Sequence, residues 1–512
     1  MFYSISLSQT LKTTIIIIVL FTISCNGDSF ISPEKEQQYG VCWSCSDPYD
    51  PGRRCFGSKG EKVFIGVGNR DGYSDFDSIY PWSEIKRCNI QVNGDQQVIV
   101  FEGEDGFSLD GTSGDVFVRI PVFNYKRYVQ DGFEYRVISK EGDSVHPAFI
   151  EAGRVLDAVY ISAFEGWYDE SGNMLYSKGG VIPSSSLTGD TFLSAARARG
   201  ANYTLYDNRA VDLVYTLMAV EFGGRNMNHY LGYGYADYWQ PDDIASNRVV
   251  VEEKNTNEIK INLLPQSLLD QIPVGSNITI CRGSQSDVIG QRTILSVEKD
   301  SKNAFTIVRF DGAPISVDKH CFIGSAACTT NYCELCDRDS RLNWHTGRAD
   351  FIKGSLTRNP IRYRWMENLW GSLWHFLPDV SFEDSNMYIC EEMASYSIGS
   401  VSPPYHQVVT SLPVNTDNGI KDDSAGTNYW VDAIIQDGLS GISFGCSYNQ
   451  NLTSKDAYGA YYYLNPDSAC IVNGGGFDHL WRCNILTNRA WVTKSTKWYL
   501  YGARLMYKPI VP

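Results

Sequence analysis

The sequence predicts a turn-rich β or α+β protein, and three observations point that way. First, 45 glycines and 13% aromatic residues in a chain of 512 suit many short strands divided by tight turns. Second, Asp115–Lys126 and Phe133–Ile138 alternate apolar and polar residues, with Asp131-Gly132 between them as a hairpin turn. Third, one segment has helical spacing. Asp207 can cap it, Val211, Val214, Tyr215, Met218 and Phe222 form its apolar stripe, and Gly223-Gly224 stop it.

The bulk numbers bound the function. A hydrophobic content of 43% and a charged content of 20% are those of a globular protein, and the length allows two to four domains. A net charge of −15 without any Lys/Arg-rich run excludes nucleic acid as a partner.

Residues 1–25 are expected to be an export signal. Lys12 precedes the apolar run Ile15–Phe21, which is too short to span a bilayer comfortably, and Ser24-Cys25 follows. The Cys25 position fits either lipidation or ordinary cleavage near Cys25 or Gly27. Membrane contact is expected only through such a lipid, and the mature chain is expected to be secreted or held at the cell surface. In that compartment the cysteines beyond Cys25 are expected to form disulfides of unspecified pairing. Cys42-x-x-Cys45 and Cys333-x-x-Cys336 could bind zinc, but they lie far apart in the chain, and no metal is expected.

Residues 26–113 read as a cysteine-bearing, β-rich N-terminal region. A new unit opens near Gly114, with a third strand at Ala158–Phe164 and a short helix at Thr191–Arg199. Residues 248–336 read as an inserted small all-β domain ending in a cysteine cluster. Its strands are expected at Val249–Val251, Ile259–Leu264, Ile278–Cys281, Arg292–Val297 and Phe305–Phe310. Next comes Trp365-Met-Glu-Asn-Leu-Trp-Gly-Ser-Leu-Trp-His-Phe376, with three tryptophans in twelve residues. Trp370, Leu373, Trp374 and Leu377 can share one side of a helical turn, as a core staple.

Five stretches in order carry a resemblance. They are Val118-Arg-Ile-Pro-Val-Phe-Asn-Tyr-Lys126; His146-Pro-Ala-Phe149 with Ala163-Phe-Glu-Gly166; Ala196-Arg-Ala-Arg-Gly200; Glu367-Asn-Leu-Trp-Gly-Ser-Leu-Trp374; and Gly474-Gly-Gly-Phe477 with Gly502-Ala-Arg-Leu505. Together they resemble phage and prophage tail-fibre-like proteins with a C-type-lectin-like fold, a scaffold shared with formylglycine-generating enzymes. The resemblance covers roughly residues 114–512. It implies an α+β, C-type-lectin-like domain formed by residues 114–247 and 337–512, interrupted by the β insert. Ser372 and Leu373 stand where the family usually has Asn-Val. The export signal and the many cysteines also depart from tail proteins and fit a surface protein that reuses the scaffold.

The resemblance further implies that the segment between Gly474-Gly and Gly502-Ala-Arg-Leu505 recognises ligands. That segment is rich in aromatic and cationic residues, the types that dominate interface energetics. Phe477, His479, Trp481, Arg482, Asn484, Trp491, Lys494 and Tyr499 are the candidate ligand-binding residues, for an unknown protein or glycan. Trp370 and Trp374 are assigned to the scaffold behind them. The expected role is therefore recognition or adhesion without enzymatic activity or cofactor. A structural phage-tail-like or envelope component is the alternative. An oxidase of the formylglycine-generating type is a second alternative, but Cys470 and Cys483 are thirteen apart, unlike that family's close copper-binding pair.

Overall fold

A computed structural model describes residues 38–93, 96–236, 247–266, 274–335, 341–351, 353, 355–413, 430–435, 441–449, 451–464 and 469–509. Residues 1–37, with the expected export signal and Cys25, lie outside the described residues, as does Cys336.

The α+β class expected of a C-type-lectin-like domain is corrected. Strand accounts for 40% of the structure and helix for 11%, in only four α-helices among the described residues, so the architecture is mainly β and built from many small sheets. Two of those helices exceed a single turn: α1 (Gly189–Arg197) and α2 (Asn208–Phe222). The tryptophan stretch also departs from expectation. It is not a helical turn but runs into a strand, Trp374–Glu383. Its backbone is satisfied from outside, since Trp374 N–H donates to Leu500 C=O at 2.9 Å and Leu373 N–H to Glu165 Oε1 at 3.0 Å.

The N-terminal residues do not stand apart. Strand β1 (Gln38–Ser44) lies between β2 (Arg53–Phe56) and Phe133–Ser139, with Asn124–Gln130 on the far side. The Asp131-Gly132 hairpin forms with both residues at positive φ, 51° and 77°, as a two-residue turn between right-twisted strands requires. Lys86–Asn93 and Gln96–Phe101 extend a six-stranded sheet through Asp115–Pro121 and Ala158–Ser162 to Leu505–Tyr507 and Tyr203–Leu205. Residues near both ends of the described chain thus meet in one sheet.

The 248–336 region holds an antiparallel five-stranded sheet, including Asn277–Arg282, Ser284–Asp300 and Phe305–Phe310. It has its own small core, with Ile259, Ile278, Ile280, Val308, Phe310 and Ile323 buried together. The expected strand at Val249–Val251 is reduced to a single bridge from Val249 to Ile261.

Helix α2 is buried all round. Asp207 Oδ1 accepts from Ala210 N–H at 2.7 Å and caps it, and Gly223 at φ 78° stops it, as the sequence indicates. An all-round buried helix must pair its own polar groups. Asp212 takes Arg136 at 2.7 Å, His146 Nε2 at 3.0 Å and the Ser443 hydroxyl. Glu221 takes Arg364 at 2.7 Å, and the Tyr363 and Ser74 hydroxyls each at 2.8 Å.

No disulfide joins the described cysteines to one another, and most of them are buried. No helix among the described residues is long and apolar enough to cross a membrane.

The buried histidines set a pH response. Burial, opposed by the bond to Asp212, holds the His146 imidazole below its ordinary value, and His375 is held down the same way against Glu165. In the unfolded chain both titrate near pH 6.5, so their contribution to stability is fully present above that pH. It is lost as pH falls, because the unfolded chain takes up protons that the fold refuses. Two carboxyls act in the opposite sense. Burial raises Glu367 and Asp379 each to about 7. Between roughly pH 4.5 and 7 they therefore favour the fold as pH falls. Replacing His146 and His375 by glutamine removes only the imidazole contribution. In urea melts at pH 8 and 5.5, the wild type is expected to lose about 1–2 kcal/mol more than the double variant. An equal loss in both proteins counts against neutral imidazoles.

Candidate functional site

The C-terminal segment is organised around the triple glycine. Gly474 and Gly475 have φ of 98° and 86°, and a Cβ on Gly475 would lie 2.9 Å from Cys483 Cα. A Cβ on Gly476 would lie 2.9 Å from Trp374 Cδ1 and 3.1 Å from Trp374 Nε1. The loop therefore crosses the edge of the indole at a distance only glycine allows. Gly371 N–H donates to Gly475 C=O at 3.0 Å and Phe477 N–H to Ser372 C=O at 2.8 Å, which fastens the loop to the tryptophan stretch.

Beyond the loop the chain makes a short 3-10 turn, Leu480–Arg482, with Arg482 N–H on His479 C=O at 3.0 Å. It returns as the strand Asn488–Val492 between Cys470–Asn473 and Tyr462–Leu464. The parallel register sets Tyr463 opposite Arg489. Along that neighbouring segment Tyr461 and Tyr463 are two apart and share a face, while Tyr462 points the other way and donates to Pro413 C=O at 2.7 Å.

These pieces surround a shallow cup lined by Trp374, Tyr461, Tyr463, His479, Arg482 and Arg489, with a free volume of about 10 Å³. The Arg482 guanidinium sits 5.1 Å from the Tyr461 ring centre, and that of Arg489 sits 5.4 Å from Tyr463. Trp374 and His479 meet edge to face at 5.2 Å and 87°. His479 pairs with Asp478, and burial holds its imidazole below the ordinary value, so it is neutral at pH 7. Trp374 is 2% exposed, and its Nε1–H has no hydrogen-bond partner among the described residues. A buried indole N–H ordinarily finds one.

The candidate residues from sequence separate into groups. His479 and Arg482 line the cup. Phe477, Asn484 and Tyr499 are buried; Phe477 packs on Tyr499 at 5.6 Å, and Asn484 Oδ1 accepts from Leu486 N–H at 3.1 Å. These three support the cup rather than offer a surface. Trp481 is partly buried against the main core, and Lys494 is exposed outside the cup. The Trp491 side chain lies outside the described residues.

One assignment is corrected: Trp374 was placed in the scaffold alone, and it is also a wall of the cup. Tyr461, Tyr463 and Arg489 join it. The alternation of Tyr461 and Tyr463 within a strand was the available signal, but nothing in the sequence brings that strand beside Arg489.

No group of three or more His, Cys, Asp or Glu residues placed to hold a metal ion occurs among the described residues. No protein-family model matches the chain, and no curated protein matches it either.

Gly476 offers a direct check of the geometry. Its φ is not in the left-handed region, so Gly476→Ala is strained only by contact, chiefly with Trp374 and also with Leu500 Cδ2 at 3.2 Å. The variant is expected to be destabilised by about 1–3 kcal/mol in a urea melt, because an extra methyl in a packed site forces neighbours aside. A change under about 0.5 kcal/mol would mean the loop does not rest on the indole.

Proposed function

We propose that the chain is an exported recognition or adhesion protein that binds its ligand in this cup. The observation that carries the reading is the grouping of Trp374, Tyr461 and Tyr463 with the guanidiniums of Arg482 and Arg489 around one depression. Aromatic walls suit the apolar face of a sugar ring, and guanidinium donors suit its hydroxyls or a carboxylate, so a glycan is the favoured ligand. The resemblance of residues 114–512 to tail-fibre-like proteins agrees with a recognition role.

The oxidase alternative gains no support. Burial pushes the Cys470 thiol up to about 12 and raises Cys483 well above its ordinary value, so neither is a thiolate at neutral pH without a metal bound. The structural, envelope-component alternative predicts no ligand at the cup.

A glycan and protein array probed with the purified chain tests the proposal. A bound glycan is expected, with affinity falling about tenfold in Trp374→Phe, which keeps a ring but narrows the aromatic wall. Tyr461→Ala, at a half-buried wall position, should weaken the same binding with little change in thermal midpoint. Binders indifferent to both substitutions would sink the proposal, and an array without any binder would favour the structural alternative.

A further inference from the structure

Outside the cup, one face of the N-terminal sheet brings together two cysteines, both buried. In the β1–β2 pair, Gly40 stands opposite Cys55 and Cys42 opposite Arg53. Cys42 and Cys55 therefore share one face on a diagonal of the ladder, a spacing that short side chains bridge only where the strands draw together. Gly40 makes the approach feasible: a Cβ there would lie 2.9 Å from Cys55 Sγ, so the sulfur leans into the space a side chain would occupy. Gly40 N–H is held by Ser58 Oγ at 2.7 Å, and Ser58 N–H donates to Cys55 C=O at 3.2 Å, which secures the turn after β2.

The neighbouring Cys55 thiol is the main cause holding the Cys42 thiol down to about 7, helped by Arg53 and Lys59, and Cys42 in turn raises Cys55. A thiol near this value is substantially thiolate at neutral pH and is the form that attacks disulfides. The other cysteines differ. Cys88, Cys281 and Cys470 are each raised to about 12 by burial. Cys45 is exposed, lies past the end of β1 and is raised.

We propose that Cys42 and Cys55 are a redox pair, which a disulfide oxidant of the glutathione type converts to a cross-strand disulfide stapling β2 to β1. The Cys42 thiolate attacks one sulfur of the oxidant and expels a thiolate, leaving a mixed disulfide on Cys42. The Cys55 thiol, giving up its proton, attacks the Cys42 sulfur and expels the second thiolate. The protein loses two protons and two electrons, and one oxidant disulfide becomes two thiols. β2 is four residues long and lies at the sheet edge, where an S–S bond needs only a small shift of the strand. The staple closes a short loop and adds a covalent tie to an edge strand already held by Arg54 on Glu221 C=O.

The test uses the full chain, reduced and then equilibrated across a glutathione/glutathione disulfide series. Free thiols are alkylated and the protein is mapped by mass spectrometry. The expected result is one cross-linked species joining the Cys42 and Cys55 peptides, with both sulfurs protected together. Cys45 is expected to carry glutathione instead. In Cys55→Ser the mixed disulfide on Cys42 should persist, since nothing resolves it. Oxidation should raise the thermal midpoint of the wild type by a few degrees and leave the Cys42→Ser/Cys55→Ser protein unmoved. A Cys42–Cys45 link, independent adducts on Cys42 and Cys55, or an equal thermal response in the double variant would overturn the proposal.

Discussion

The structure depends on the complete burial of helix α2. A helix in that position cannot leave a carboxylate to water, so each of its acids recruits partners from elsewhere in the chain. Asp212 draws Arg136 and His146 from the N-terminal half, and Ser443 from far downstream. Glu221 draws Ser74, Tyr363 and Arg364. Asp207 at the cap draws Tyr396 at 2.9 Å and Lys508 at 3.0 Å. The many small sheets are thereby tied to one axis, which explains how a mainly β protein of this length holds together without one dominant sheet. Such buried pairs are costly to break one partner at a time, so they specify arrangement more than they add net stability.

A second buried acid links this scaffold to the cup. Glu165 receives the Ser372 hydroxyl at 2.7 Å, Leu373 N–H at 3.0 Å and His375 Nε2 at 3.1 Å. Arg504 donates to Ser162 C=O at 2.7 Å and to the Glu367 and Asn368 carbonyls. The stretches around Glu165, Trp370 and Arg504 are three of those that carry the family resemblance, and here they meet. Trp370 stays wholly within this knot, its Nε1–H on Gly232 C=O at 3.0 Å. Trp374, four residues on, reaches out of the knot to the cup. The proposed recognition site is thus built directly on this buried knot, which suits a preformed binding surface.

The local features were legible in sequence because each rests on neighbours along the chain. The Asp207 cap, the Gly223 stop, the Asp131-Gly132 hairpin and the strand at Phe305–Phe310 need only short-range chemistry, and they form where that chemistry places them. The segment holding His479 and Arg482 stood out for the same reason, as a local concentration of aromatic and cationic residues. The helical spacing of Trp370, Leu373 and Trp374 misled because spacing is only a weak preference. Here Glu165 and Leu500 supply extended partners that a local pattern cannot reveal.

What the sequence by itself determined is therefore the character of its pieces: a capped helix, alternating strands, tight turns, an aromatic and cationic C-terminal segment, and an acidic balance of charge. The tertiary structure decided the proportions and the partners. It made the whole mainly β, drew residues 38–101 into sheets shared with residues 115–139 and 505–507, and sank Phe477, Asn484 and Tyr499 beneath the surface. It also set Tyr463 beside Arg489, Trp374 beside His479 and Cys42 beside Cys55. The physical reason is the same in each case. Burial and strand register are settled between segments distant along the chain, where side-chain order carries no record of which face will meet which.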